Sequence, residues 1–574
     1  ALPIYIAKYR WVYYLLNDDK EQAMRNIAEN LSFIEQTYGK KSMEMADFLT
    51  TLSYQMLDNF EFDYAIETAN EAVEICRINN QESSYVYSRA NMDLVTIFVA
   101  LGETEKAKTY ISNIDLNRFS GNEYLSDMIR SVGMALLEIG EYDNAVKLCK
   151  EALSIKGVDR LSKVIAAEIL VIHYERAGEL ELAEEYLDSI KAKLDSLSTT
   201  RFAENYIITY KRLSAKIKAR KANYKDAISD LNNAIEYADD KKTFVLLQCY
   251  AERALYFIYL KDLDSADKDF QICDEIISRY GLSDNYYITI YNNIACGQIS
   301  SGNYESANEY FQRIIDKIPD VLSPRTFDKA TICQNYGWNL FNMGKADESK
   351  IYIECAVIYY EEHGFEQSID YYSALYNLFI VNSSIEAFED NLNVALKLYN
   401  NYQMIEKFRN CQTNFRIGIC SGIITGLLAS NKEQEAYNFA LSEDKYYIKQ
   451  FGKKSVERID YLQNCAYAFY RMRFTDAFEF LNKAEKIIHK LKLDNSIWEA
   501  RQLNFVGIAY LDLTEYAERG NRYIVQAKEL FESLNVQDDY MYPIVLQNLE
   551  KSKDRIMNKL IRDMAKNLSE EMEE

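Results

Sequence analysis

A cluster of cations near the middle of the chain is the clearest candidate for binding chemistry. Seven of the fifteen residues from Lys211 to Lys225 are basic, whereas the whole 574-residue chain has 66 Lys and Arg against 88 Asp and Glu, a formal net charge of −22. Arg212, Lys216 and Arg220 are spaced four apart, so a helix would place them on one face. Such a face forms charge-assisted hydrogen bonds to carboxylates or phosphates. Two interpretations are open: the cluster binds an anionic partner, or the chain's own Asp- and Glu-rich turns neutralise it.

Catalytic and metal-binding patterns are weak in this sequence. The only histidines are His173, His363 and His489, and none has the spacing of a metal-binding pair. The ten cysteines include no CxxC pair, so neither a zinc site nor a redox motif is indicated. We therefore predict no catalytic residue, no metal and no cofactor. Cysteines within apolar helical patterns favour buried free thiols and a reducing, cytoplasmic location.

The charge of the chain also limits its partners. A strongly acidic surface repels phosphate, which argues against general binding to nucleic acid or to an anionic membrane. One uncharged segment, residues 417–430, carries Gly418, Gly422 and Gly426 four apart. A membrane-spanning helix needs about 20 apolar residues, so this segment is too short to span a bilayer. It is predicted to be a buried helix packed closely against a neighbour.

A repeated pattern positions these residues. Segments such as "GEYDNAVKLCKEAL" from Gly140 and "GNYESANEYFQRII" from Gly302 share a turn residue, an aromatic residue and then a small residue. Successive copies are 38 to 45 residues apart, which gives about thirteen copies, including a degenerate one near Asn391 and a last one near Arg519. The small residue, called here the key residue, recurs at Ala23, Ala65, Ala107, Ala145, Ala183, Ala227, Ala266, Ala307, Ser349, Ala436 and Ala477.

Each copy is predicted to form two helices joined by a short turn. Ahead of each turn lies another apolar helical pattern with a small residue near its middle, as at Gly133, Gly337 and Gly507. Small residues allow two helix backbones to approach closely. With only 19 Gly and 4 Pro, the chain favours long helices over tight turns and long loops. One hairpin cannot bury its apolar faces alone, so the copies are expected to stack in one direction.

The pattern resembles the tetratricopeptide repeat, abbreviated TPR. The best match has small and aromatic positions at Gly133, Gly140, Tyr142, Ala145 and Ala152. The steps near 41 residues exceed the family's usual 34 and are similar to kinesin light chains and bacterial TPR arrays. The resemblance implies an all-α, right-handed superhelical solenoid of about thirteen units. It would occupy residues 1–544, with an irregular repeat at 382–415 and a capping or docking helix at 545–574.

The resemblance also implies where a partner binds. In TPR proteins the first helix of each repeat lines a concave groove, which places Arg212, Lys216 and Arg220 of repeat six on the inner surface. The same phase adds Asn292 in repeat eight. Gln334, Trp338 and Phe341 take this position in repeat nine, whereas Lys218, Lys221 and Lys225 fall on another face.

The function implied is a non-enzymatic scaffold or receptor that binds a protein or peptide segment in this groove. The basic cluster favours a partner with an acidic segment or a C-terminal carboxylate. An alternative is a regulatory or sensor subunit of a larger bacterial assembly, one that controls a separate CHAT-type protease or a transcription factor.

Overall fold

The computed structural model describes residues 20–58, 62–100, 103–115, 125–154, 160–194, 203–238, 244–280, 288–315, 327–401, 414–513 and 516–573. These residues form twenty-six helices, and no strand occurs among them. Twelve complete hairpins of a first and a second helix follow one another, with one helix before them and one after them. The predicted all-α fold is confirmed.

The helices are numbered in chain order. The odd-numbered ones from α1 to α25 carry the thirteen key positions and are the second helices of the repeats, while the even-numbered ones from α2 to α24 are first helices. They span α1 Lys20–Tyr38, α2 Met43–Asp58, α3 Phe62–Ile78, α4 Tyr85–Ala100, α5 Thr104–Ile111, α6 Leu125–Glu138, α7 Tyr142–Ser154, α8 Arg160–Ala177, α9 Leu180–Leu194, α10 Ala203–Arg220, α11 Tyr224–Tyr237, α12 Phe244–Tyr259, α13 Leu263–Tyr280, α14 Ile288–Ser300, α15 Tyr304–Ile315, α16 Phe327–Asn342, α17 Ala346–Glu362, α18 Ile369–Ser384, α19 Phe388–Asn400, α20 Asn414–Ala429, α21 Glu433–Phe451, α22 Val456–Arg471, α23 Ala477–Leu491, α24 Ile497–Leu513, α25 Ala517–Ser533 and α26 Met541–Glu573.

The key residues hold the hairpins together. All eleven that the sequence pattern identified are buried, with at most 1% of their surface exposed. The degenerate copy is Asn391, whose side-chain amide donates to Phe379 O at 3.2 Å across its hairpin. The last copy is Gly520, where an added Cβ would lie 2.6 Å from Gly507 O. A small side chain at this position therefore sets the distance between the two helices of a repeat.

The turns explain the low glycine content. Five residues before most key positions, one residue has positive φ, such as Gly140 at 80° and Lys261 at 63°. The next residue donates its N–H back into the preceding helix, as Glu141 N does to Leu136 O at 2.8 Å. This is the Schellman ending of a helix, which needs a single left-handed residue. Ala222, Lys261 and Glu386 fill that position without glycine.

The chain divides into two compact units. Unit one contains the residues up to Gly344 together with Ile351–Tyr371, and unit two contains Lys345–Lys350 and the residues from Tyr372 onward. Within unit one each first helix from α2 to α14 packs against the first helix of the next repeat, and in unit two α20, α22, α24 and α26 do the same. Each unit is thus a stack of hairpins. Part of the predicted irregular repeat, residues 402–413, lies outside the described residues.

Two glycines of α20 lie in close contact with neighbouring helices of unit two. A Cβ added to Gly426 would lie 2.7 Å from Leu392 Cβ and 2.9 Å from Phe388 O, and one added to Gly422 would overlap the Phe379 ring. Gly418 is different, since nothing lies within 4 Å of an added Cβ. The predicted close packing of this uncharged segment is therefore confirmed for two of its three glycines. Among the described residues no helix is long and apolar enough to cross a membrane.

Gly426 is crowded by its neighbours and Gly418 is not, so alanine substitutions at these two positions form a matched pair on one helix. Gly426→Ala should lower the free energy of unfolding by about 1–3 kcal/mol, because the methyl group overlaps backbone atoms of α19. Gly418→Ala should raise it by about 0.5–1 kcal/mol through helix propensity alone. Urea unfolding of both variants measures the two effects, and equal signs would contradict the packing described.

The last helix, α26, closes unit two with its first half. Met541, Val545 and Ser552 are buried against the preceding hairpin. Asp512 forms ion pairs with Lys551 at 3.2 Å and Arg555 at 2.8 Å. The second half of α26 is less buried, and its residues Leu560 and Met564 are exposed.

Candidate functional site

The predicted cationic face exists on α10. Arg212, Lys216 and Arg220 lie on successive turns and keep 21%, 29% and 23% of their side-chain surface accessible. Lys218 and Lys221 point to other neighbours, since Lys218 pairs with Asp230 at 2.5 Å and Lys221 with Glu184 at 2.7 Å. The two sets thus contact different neighbours: Arg212, Lys216 and Arg220 are called here the inner set, and Lys218 and Lys221 the outer set.

Carboxylates from three other first helices meet the inner set. Arg220 Nε donates to Glu175 of α8 at 2.6 Å, and its Nη1 lies 2.7 Å from Asp370 of α18. Lys216 lies 3.6 Å from Glu175, and Arg212 lies 3.9 Å from Glu252 of α12. The chain thus balances three cations with three carboxylates. These carboxylates do not come from the turns that the sequence suggested.

The ion pairs differ in strength. Burial alone would raise the pKa of Glu175, but Lys216 and Arg220 lower it to about 2. The pKa of Glu252 is raised, because its burial outweighs the attraction of Arg212 and Lys216. Arg212 Nε and Glu252 Oε2 are both buried and make no hydrogen bond to the described residues. Arg220 is therefore firmly held, whereas Arg212 and Glu252 form a loose pair.

Two titratable side chains lie beside this cluster. Tyr259 is 51% exposed, and desolvation raises the pKa of its hydroxyl well above the usual value. Cys296 is half-buried, and burial raises the pKa of its thiol to about 12.

The other predicted site residues form an uncharged patch on α14 and α16. Asn292 is 7% exposed and accepts a hydrogen bond from Asn335 at 3.1 Å. Gln334 is buried, and its Oε1 has no hydrogen-bond partner among the described residues. Trp338 and Phe341 stack with ring centroids 5.3 Å apart. The two amide side chains of the patch are therefore buried, whereas Trp338 and Phe341 are half-buried and keep part of their rings accessible.

Contacts between distant repeats were not foreseen from the sequence. Arg176 at the end of α8 binds both oxygens of Asp328 at the start of α16, at 2.9 and 3.0 Å. The hydroxyls of Tyr142 and Tyr359 are hydrogen-bonded, and Phe365 packs edge-on against Tyr142. These residues lie between 152 and 223 positions apart in the chain, so no local pattern marks them. They join repeats four and five directly to repeat nine within unit one.

The described contacts of the three histidines are with aromatic and acidic side chains. Burial lowers the pKa of His173 to about 4, so it is neutral at pH 7 beside Tyr142 and Tyr174. His363 stacks on Tyr359, and His489 contacts Asp494 at the end of its helix. Nine cysteines are described, and all are free thiols. No cluster of three potential metal ligands occurs in the described part of the chain.

A model of the tetratricopeptide repeat matches residues 131–159. This segment includes Gly133, Gly140, Tyr142, Ala145 and Ala152, the positions on which the resemblance was based. The chain thus carries a TPR motif in this segment. The helical hairpins on either side repeat the same small-residue contacts, so the architecture extends well beyond the matched segment.

Comparison with solved structures gives TPR-like proteins at low identity. A putative kinesin light chain repeat protein of Podosopora anserina is 12% identical, covers 36% of this chain and 99% of its own, and has a TM-score of 0.29. A Rap protein complexed with Competence and Sporulation Factor is 14% identical over 64% of this chain and 99% of its own, with a TM-score of 0.37. The APC/C hetero-tetramer Cut9–Hcn1 is 13% identical over 91% of this chain and 98% of its own, with a TM-score of 0.36. The search of curated proteins found no match.

Proposed function

We propose that this TPR protein is a non-enzymatic scaffold that binds a peptide or protein segment on the first helices of repeats six to nine. Arg212 and Lys216 would bind an acidic side chain or a C-terminal carboxylate, and Arg220 on the same face would hold α10 in position. Asn292, Gln334, Trp338 and Phe341 would contact the rest of the segment. TPR arrays generally mediate protein–protein interaction, and free buried thiols suit a reducing, cytoplasmic location.

The loose pair of Arg212 and Glu252 carries this proposal. Arg212 Nε is a buried charged donor without a hydrogen-bond partner, and such a group is costly to leave unsatisfied. A ligand carboxylate at Arg212 would replace a contact of 3.9 Å with a shorter charge-assisted hydrogen bond. Burial raises the pKa of Glu252 despite the attraction of Arg212 and Lys216, so this carboxylate is only weakly held by its partner. Arg220 would instead hold the site rigid, because Glu175 and Asp370 already occupy its guanidinium.

The ion pairs dictate how the site must be tested. Reversal of Lys216 alone would set a second negative charge beside Glu175, whose side chain is 2% exposed, and would destabilise the fold. The informative variant is Arg212→Gln with Glu252→Gln, which removes a cation together with its carboxylate. Lys218→Gln with Asp230→Asn is the matched control, since it removes an ion pair from the outer set of the same repeat.

A peptide array provides the measurement. Acidic and neutral peptides are each synthesised with a free C-terminal carboxylate and as the C-terminal amide, and binding of the purified chain is titrated. We expect selective binding of acidic or free-carboxylate peptides, weakened at least tenfold in the Arg212/Glu252 variant and less than twofold in the control. Equal binding by both variants, or no discrimination between the peptide classes, would contradict the site.

A further inference from the structure

The turn between α8 and α9 lies directly against the turn between α17 and α18, although four repeats separate them in the chain. Gly178, with φ of 80°, is at the point of contact. A Cβ added to Gly178 would overlap Gln367 O and lie 3.2 Å from Ser368 Cα. Two backbones approach this closely only where one residue lacks a side chain, so the glycine makes the contact possible.

The same contact buries an aromatic side chain of the α17–α18 turn. Phe365 is 1% exposed and lies edge-on to Tyr142 of repeat four and to Phe327, with ring centroids 4.7 and 4.9 Å away. The hydroxyl of Tyr142 is hydrogen-bonded to that of Tyr359. Gln81 holds the corresponding turn position before α4, since both it and Phe365 donate their N–H to the carbonyl five residues earlier, and Gln81 is exposed. Phe365 is thus covered by a residue from a distant repeat.

These contacts are called here the clasp, with Tyr142, Arg176 and Gly178 on one side and Asp328, Tyr359, Phe365 and Gln367 on the other. In a solenoid each repeat packs on its neighbours, so the hairpins between the two sides stay stacked whether or not the clasp is made. Closure also brings two carboxylates to one guanidinium: burial and Asp328 raise the pKa of Glu138, against the attraction of Arg176 and Lys329. A small, partly polar contact of this kind opens more readily than the core of a hairpin.

The clasp lies next to one end of the inner set. Asp370, three residues after Gln367, lies 2.7 Å from Arg220 Nη1. Arg220 Nε donates to Glu175 of α8 at 2.6 Å. Separation of the two turns would move Asp370 away from Arg220 and leave Glu175 in place, because Glu175 and Arg220 belong to adjacent repeats. An open clasp therefore uncovers the Arg220 end of α10.

We propose that the clasp is reversible and that a partner segment reaches the inner set while the clasp is open. When it is closed, repeats five to nine form a closed loop, since consecutive hairpins connect its two sides. A segment bound on the first helices is then retained until the clasp opens again. The entry of a partner rests on the proposed function, whereas the opening of the clasp does not.

Gly178→Ala tests the opening, because its methyl group would overlap Gln367 O. Gly344→Ala is the matched control: its φ of 79° gives the same backbone strain, but no described atom lies within 4 Å of the added Cβ. Spin labels on keto-bearing residues at the exposed positions Glu185 and Glu366 report the distance across the clasp in the full chain by pulsed electron paramagnetic resonance. We expect a short distance to predominate in the wild type and the control. Gly178→Ala should add a longer distance while its urea midpoint stays close to that of the control.

Stopped-flow binding of hexaglutamate with a free C-terminal carboxylate tests the entry route. Association and dissociation should both be about tenfold faster in Gly178→Ala than in Gly344→Ala, because a required conformational change limits the rates. Phe365→Ala provides a second way to open the clasp, since it removes both ring contacts.

The outcomes separate the clasp from the proposed function. A wild-type distance in both Gly178→Ala and Phe365→Ala, or the loss of all of unit one's cooperative unfolding in both, overturns the clasp. A longer distance with unchanged binding rates overturns the entry route. If hexaglutamate binds to none of the chains, the proposed function and the entry route both fail, while the distance still decides whether the clasp opens.

Discussion

Arg416→Met is expected to lower the free energy of unfolding by about 3–5 kcal/mol, because it leaves a carboxylate buried without its counter-ion. Glu443 keeps 4% of its side-chain surface accessible, and Arg416 Nη2 and Nε donate to its Oε2 at 2.8 and 3.0 Å. The guanidinium lies between the rings of Tyr399 and Tyr446, 4.8 and 4.1 Å from their centroids. Methionine restores part of the volume and none of these interactions.

Denaturant unfolding monitored in unit two measures this cost. The double variant Arg416→Met with Glu443→Met should recover most of the lost stability, because it removes both charges from the interior. Lys528→Met is the surface control, since Lys528 and Glu532 form an exposed pair at 2.7 Å on one helix. A loss of less than 1 kcal/mol at Arg416, similar to the control, would show that the pair is not buried in solution.

In unit one, Arg220→Met should likewise lower the free energy of unfolding by about 3–5 kcal/mol. Arg220 joins Glu175 of repeat five to Asp370 at the start of α18, so its loss leaves both carboxylates without their closest cation. Lys221→Met at the next position serves as control, because Lys221 and Glu184 are 35% and 46% exposed. A comparable loss in both variants would contradict the role assigned to Arg220.

The stability lost in Arg220→Met should be smaller at acidic pH than at neutral pH. The pKa of Glu175 in the folded chain is about 2, below its ordinary value of 4.5. Its ion pairs therefore stabilise the fold above pH 4.5, and this contribution is lost as pH falls toward 2. In Arg220→Met the carboxyl can bind a proton once the solution is acidic. Unfolding at pH 7 and pH 3.5 should show a smaller difference between wild type and variant at the lower pH.

Local patterns predicted the repeated part of this structure. The key residues from Ala23 to Ala477 follow from helix geometry, because only a small side chain fits where two helices of a hairpin cross. The shared face of Arg212, Lys216 and Arg220 follows from the same periodicity. Gly418 shows the limit of such reasoning, since it continues the spacing of Gly422 and Gly426 and yet contacts no neighbour. Spacing identifies a face of a helix, but it does not say how far along the helix that face is covered.

Partners between distant repeats could not be predicted. Glu175, Glu252 and Asp370 belong to first helices of three different repeats, and each looks in the sequence like an ordinary surface carboxylate. Their pairing with α10 depends on how the successive hairpins rotate, which is the sum of many small packing angles. The contact of Arg176 with Asp328 depends on the same sum. Helix periodicity determines which residues share a face, whereas the stacking of successive hairpins determines which of those residues come into contact.

Hydrogen exchange of the chain with a peptide recovered from the array tests the proposed function most directly. Slower exchange is expected in the first helices α10, α12, α14 and α16, with the second helices between them little changed. The Arg212→Gln and Glu252→Gln variant should lose this protection at the same peptide concentration. Protection confined to the second helices or to α26 would contradict a partner site on the first helices.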